Sequence, residues 1–243
     1  MKPAALVALA VFASLLGLVS ARLLGLAART RQMPELLLGL STAFPLAGYT
    51  FGFFGAAIGH GVPVQWVTEV GGTLCDFGFM ATVIFVWRVF RSDERWAQAL
   101  AILIVGALLT MSIVNHVVPW ADGVPSAIVP RSVLRTISYA WVAIESLRYG
   151  RLMRRRVFFG LAEPLLADRF RLWGFTHICL ALMLLLVMAG VKLHLSGADF
   201  ARSCTFAGFF LGLLAAIPLT LSFFPTSRYA HHVERRYRRE VAS

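Results

Sequence analysis

Charge is scarce in this sequence: 14% of its 243 residues are Asp, Glu, Lys or Arg, and only 12 are acidic. A soluble domain carries roughly 25%, so there are too few polar side chains to cover a water-facing surface. Cysteine is scarce as well. Cys75, Cys179 and Cys204 lie in or beside apolar runs with no CxxC spacing, which signals neither a disulfide framework nor a zinc cluster. Small buried apolar residues are the expectation. Lysine is confined to Lys2 and Lys192, and the run CTFAGFFLGLLAAIPLTLSFFP (204–225) has none. That excludes a retinal protein, whose chromophore lysine belongs in the middle of a seventh helix. GxSxG, HExxH and paired-aspartate motifs are missing too, which removes the serine hydrolase, intramembrane protease and glycosyltransferase classes. No internal repeat, low-complexity tract or hydrophilic domain is visible.

What is present is apolar: 58% hydrophobic residues and a mean hydropathy of +0.74. A span needs about 20 mainly apolar residues. Seven windows qualify, at 3–27, 34–59, 66–90, 96–117, 129–148, 171–194 and 204–225. The fold class expected is therefore all-α: a polytopic membrane protein with a seven-transmembrane-helix bundle over 1–225 and a basic tail over 226–243. The first window also has signal-peptide features, with Lys2, an apolar run and Val19-Ser20-Ala21. Arg22, Arg29 and Arg31 follow directly and favour retention as a helix. Pro34 suits the start of the second helix, with Glu35 in its first turn.

Orientation follows from the arginines. The stretch ESLRYGRLMRRRVFFGLAEPLLADRFRLWG (145–174) reads as one long polar interruption, with Arg148, Arg151, Arg154, Arg155, Arg156, Arg169 and Arg171. Of the 23 Lys and Arg, 18 fall in this loop, the other loops of the same side and the tail, and five on the opposite side. Basic residues near span ends resist translocation. The N-terminus is expected outside and the C-terminus in the cytoplasm, in a multi-pass protein of a cell inner membrane. The net charge of +11 is then topology and attraction to the lipid bilayer, with no nucleic acid partner. The tail SRYAHHVERRYRRE reads as a basic helix lying on the inner leaflet. In the second window Gly48, Gly52, Gly55 and Gly59 share a face on which a neighbouring helix can approach closely.

Ionisable residues inside spans are costly and point to function. Glu69 and Asp76 are seven apart, on one face of the third span. Arg131 and Arg135 are four apart on the fifth. Asn115 and His116 end the fourth, Lys192 and His194 the sixth, and His60 the second. The expectation is a polar cavity opening outward, lined by Glu69, Asp76, His116, Arg135, Lys192 and His194, with Arg135 and Lys192 neutralising the acids. Buried ion pairs that only fix helix register are the bland reading of the same residues. The outer histidines offer zinc or copper ligands, yet no HxxxH or HxxE pair joins them, so no metal or cofactor is assigned. On the inner side, Glu145 pairs most simply with Arg148, and His177 reads as a hydrogen-bonded core histidine.

The runs ESLRY (145–149), RRR (154–156), GLAEPLLADRFRLWG (160–174) and VWRVFRSDERWA (86–97) resemble a set of uncharacterised bacterial seven-helix membrane proteins. More distantly, they are similar to the seven-helix membrane module ahead of bacterial signalling domains such as histidine kinases. The resemblance covers two loops and the helix count and carries no site. It implies a receptor-like protein that binds a small ligand and, with no kinase or cyclase domain in these 243 residues, signals through a separate partner at the arginine-rich loop. A transporter, a redox or metal-binding enzyme using the same cavity, and a structural subunit are the alternatives. Transport is disfavoured because Gly71-Gly72 and Pro218, the only interruptions, do not occupy matching positions.

Overall fold

The structure, a computed structural model, describes residues 3–58, 64–118, 128–194 and 198–242. Its regular elements are all helical: α1 (Pro3–Thr30), α2 (Met33–Ile58), α3 (Gln65–Phe90), α4 (Arg95–Val117), α5 (Ile128–Phe158), α6 (Pro164–His194), α7 (Ala198–Phe223) and α8 (Ser227–Ala242). Four are long and apolar enough to cross a membrane: α1 over Ala13–Thr30, α3, α4, and α6 over Pro164–Gly190. A fifth is added if Phe210–Phe223 and Ser227–Arg239, bent by 82°, count as one broken span. This is a helical membrane protein. The chain divides into two compact units, Met1–Ser138 and Tyr139–Ser243.

In the first unit α3 is central, with 61% of its span buried against 28% for α1 and α4. Missing side chains let α2 lie on it. A Cβ added to Gly71 would sit 2.7 Å from the Gly48 carbonyl oxygen, and one on Gly78 would sit 2.6 Å from Pro45 Cγ. The glycine face expected on α2 is thus occupied by α3 at Gly48, while Gly59 lies outside the described residues. Pro45 is accommodated within α2 because α3 offers Gly78 opposite its ring. On the other side of α2, Ser20 donates to Thr42 Oγ1 at 2.8 Å, which ties α1 to it through a polar contact that lipid cannot supply.

In the second unit α6 packs on α7 through Trp173, whose Nε1 donates to Ser222 Oγ at 3.0 Å, and through Thr176, which donates to the Ala215 carbonyl at 3.4 Å. His177 is a core histidine: its Nδ1 lies 2.8 Å from the Trp173 carbonyl, which can only accept, so Nδ1 carries the proton. The supposed loop 145–174 is mostly helix. α5 runs on to Phe158 and α6 begins at Pro164. The reason is a second periodicity beneath the arginines: Tyr149, Met153 and Val157 are spaced by four and turn inward, while Arg151, Arg154, Arg155 and Arg156 face out. α8 carries a matching stripe, Tyr229, Val233 and Tyr237, and the two stripes meet with Ala167 and Phe170 of α6 in one small core. The Tyr229 hydroxyl donates to Asp168, a carboxylate only 3% exposed. Burial first, and then the Asp168 carboxylate, push the Tyr229 phenol up, so it remains a donor.

Between α3 and α4 the turn Arg91–Glu94 is closed by charge. Glu94 accepts from the Arg91 guanidinium and from Trp96 Nε1, and Arg91 stacks over the Trp96 ring at 5.3 Å. The Arg91 hydrogen bond holds the Glu94 carboxyl below its ordinary value of 4.5.

Two outcomes are expected. Gly71→Val overpacks the α2–α3 crossing and costs about 1–3 kcal/mol, whereas Gly106→Ala, with nothing within 4 Å of the added Cβ, leaves stability unchanged or slightly raised. Thermal unfolding of the detergent-purified variants measures the contrast. For Glu94, a depressed folded-state value means that its contribution is present above pH 4.5 and is lost as pH falls below it. Trp96 emission should therefore shift on acidification below pH 4.5, and Glu94→Gln should remove the shift.

Candidate functional site

The site grows from one carboxylate. Asp76 is fully buried in the middle of α3, where an uncompensated charge is costly by several kcal/mol. Two guanidinium groups from the first turns of α5 reach it. Arg135 Nε donates to Oδ1 at 2.8 Å, with Nη2 at 2.7 Å from the same oxygen. Arg131 Nε lies 2.7 Å from Oδ2, an ion pair whose N–H is not aligned for a hydrogen bond. Ser112 of α4 donates to Oδ2 at 2.7 Å and accepts from Arg131 Nη2 at 3.4 Å. Arg135 Nη2 also donates to the Gly72 carbonyl at 2.8 Å, and the guanidinium sits 5.4 Å from the Phe79 ring centre. Three helices converge on two oxygens.

Glycine makes this possible. A Cβ on Gly72 would lie 2.8 Å from Arg131 Nη1, so any other residue would push the guanidinium away. The pair Gly71-Gly72 does not interrupt α3, which runs unbroken from Gln65 to Phe90. Gly71 admits α2 and Gly72 admits Arg131.

Two turns earlier on α3, Glu69 forms a second group. Its Oε1 accepts from Gln65 Nε2 at 2.8 Å, and its Oε2 lies 3.2 Å from His116 Nδ1. His116 Nε2 in turn lies 3.0 Å from Thr73 Oγ1. A carboxylate only accepts, so Nδ1 carries the proton toward Glu69, and in the neutral ring Nε2 accepts the Thr73 hydroxyl. The two groups differ in their access to water. Asp76 is enclosed, while the His116 side chain is 41% exposed beside a Glu69 side chain at 10%. Between them on α4 lies Asn115, 1% exposed, whose Oδ1 has no hydrogen-bond partner among the described residues.

Of the residues expected to line one cavity, the structure joins Asp76 to Arg135 and Glu69 to His116. The side chains of Lys192 and His194 lie outside the described residues, as does His60. Arg131, noted beside Arg135 but not placed in the lining, joins Asp76, and Ser112 and Thr73 enter unannounced. Arg131 had a signal in its spacing of four from Arg135, and Ser112 in its spacing of four from His116, which makes 112, 115 and 116 one polar face of α4. Thr73 had none. No group of three His, Cys, Asp or Glu able to hold a metal occurs among the described residues, and Cys75 and Cys179 are buried free thiols.

Comparison with protein-family models, with curated proteins and with solved structures finds no match to this chain.

Removing the charge of Asp76 strands one buried guanidinium group, Arg131, and one part-buried, Arg135. Asp76→Asn should destabilise the protein by about 3–5 kcal/mol, the cost of breaking a buried pair. Adding Arg131→Met should recover part of the loss, and a double-mutant cycle on the unfolding midpoint measures the coupling.

Proposed function

We propose that this protein is a receptor-like seven-span membrane protein, N-terminus outside and C-terminus cytoplasmic, that binds a small polar ligand from the outer side. The excess of 18 of 23 basic residues on one set of segments supports that orientation. The seven apolar windows, each falling on one of α1 to α7 to within two residues of the helix end, support the span count. In this reading the Asp76, Arg131 and Arg135 triad is a fixed base, and Glu69, Thr73 and His116 are the groups that meet the ligand.

One observation carries the reading: a half-exposed imidazole is held on a nearly buried carboxylate, two turns along α3 from a carboxylate whose two oxygens are both matched by buried and part-buried partners. Such a rim offers donors and acceptors to a ligand without the cost of breaking the base. The complete satisfaction of Asp76 gives that residue a scaffold role and leaves recognition to the rim. Response is carried to a separate partner. α5 bears Arg131 and Arg135 near its start and Arg154, Arg155 and Arg156 near its end.

The test is a thermal-shift screen of the purified full chain against small amino acids, carboxylates and amines. A ligand at 100 times its Kd adds about 2.7 kcal/mol of stability. The expected result is a hit whose affinity falls roughly tenfold in His116→Ala, equivalent to about 1.4 kcal/mol, while the unliganded midpoint is unchanged. No stabilising compound, or a hit indifferent to His116 and Glu69, overturns the proposal.

A further inference from the structure

The arginine-rich end of the second unit is built as a rigid hairpin with an apolar tip. α5 stops at Phe158 in a Schellman turn: Leu161 N–H donates to the Arg156 carbonyl at 2.8 Å and Gly160 N–H to the Val157 carbonyl at 2.9 Å, with Gly160 at φ 69°. In this motif the residue after the glycine usually packs back on the last helical turn. Here that partner position is Arg156, so Leu161 turns outward and is 76% exposed. Phe158 and Phe159, edge to face at 5.5 Å, are 57% and 72% exposed beside it. Three large apolar side chains are thus held at the end of a fixed turn, an exposure that marks interaction sites.

Their distance from the bilayer decides what they meet. Arg148 and Arg171, with side chains 53% and 57% exposed, mark the level at which charge can snorkel to the interface. Phe158 lies ten residues beyond Arg148 on the same helix, about 15 Å at 1.5 Å per residue. Measured from the level of those two arginines, the tip lies beyond the interface. α8 does not cover it either, because Val233 and Tyr237 are spent on Met153, Val157 and Ala167 further back. Both elements that frame the tip are basic: Arg154, Arg155 and Arg156 on α5 and Arg235, Arg238 and Arg239 on α8 are exposed, against exposed Glu163 and Glu234.

We propose that the Phe158–Leu161 tip is the docking site for an acidic segment of a cytoplasmic protein, which inserts apolar side chains between Phe159 and Leu161 and sets carboxylates against the flanking arginines. This rests on the orientation given under the proposed function and not on its ligand. Charged rims set association rate and specificity, and a buried apolar centre supplies affinity.

The full chain in intact cells, carrying a photo-crosslinking phenylalanine analogue in place of Leu161, tests it. A Leu161→Cys variant is probed in parallel with a membrane-impermeant maleimide. The expected result is one protein adduct whose crosslinked peptide, sequenced by mass spectrometry, is acidic and holds an apolar anchor. Its yield should fall at least tenfold in Arg155→Glu/Arg156→Glu and again in Phe159→Ser, all with unchanged thermal stability. Adducts with lipid or with a second copy of this chain, no adduct, or an adduct insensitive to these variants overturn the docking site. Maleimide labelling without permeabilisation overturns the orientation instead, so the two failures are distinct.

Discussion

A carboxylate buried among apolar helices must be matched or it will not stay charged, and the arrangement of the first unit follows from how Asp76 is matched. Each of its oxygens has two neighbours, drawn from α4 and α5. Long arginine side chains do the reaching, which frees α5 from having to lie against α3 at that level. The cost appears in the sequence of α3 as a glycine doublet, one residue yielding to the α2 backbone and the next to Arg131. Helices in lipid gain nothing from hydrophobic sorting, so polar contacts and close backbone approach decide register. Here both devices occupy adjacent residues.

The same physics separates base from rim. A group whose lone pairs are all taken by protein has nothing left to offer a ligand without first losing partners. Asp76 is in that position, and Glu69 is not: its neighbours are a glutamine four residues away and a histidine open to solvent. Function is most economically placed where satisfaction is partial and exposure is intermediate. Asn115 Oδ1 between the two groups, without a hydrogen-bond partner among the described residues, belongs to the same gradient.

Much of the helical layout was legible, because seven apolar windows of span length leave little choice of element. Their ends were less so. The stretch 145–174 has the composition of a loop and the periodicity of a helix: beneath the arginines, Tyr149, Met153 and Val157 keep a spacing of four. At the site, the pairing of Glu69 and Asp76 on one face was visible in the numbers 69 and 76. Of the cations expected beside them, Arg135 does pair with Asp76, but the second partner was not legible. Lys192 was as good a cation as Arg131 in sequence terms, since the choice depends on which helices meet. Gly72 gave no hint of its role, because the absence of a side chain signifies only once the neighbour that needs the space is known.

The tail was read as a helix on the inner leaflet, and a basic amphipathic helix would ordinarily sit there. Its apolar stripe is instead turned toward α5 and α6, through Tyr229, Val233 and Tyr237. Hydrophobicity alone cannot decide between these two places, because acyl chains receive an apolar side chain about as well as a protein core does. The deciding contact is polar. Asp168 is 3% exposed, and the Tyr229 hydroxyl donates to it. Moving α8 away would take the Tyr229 hydroxyl from that carboxylate, at a cost of about 1–3 kcal/mol or more for a charged acceptor, and leave it the Arg171 guanidinium at 3.8 Å. The α8 arginines therefore face outward from a docked helix and act through charge on whatever approaches the hairpin.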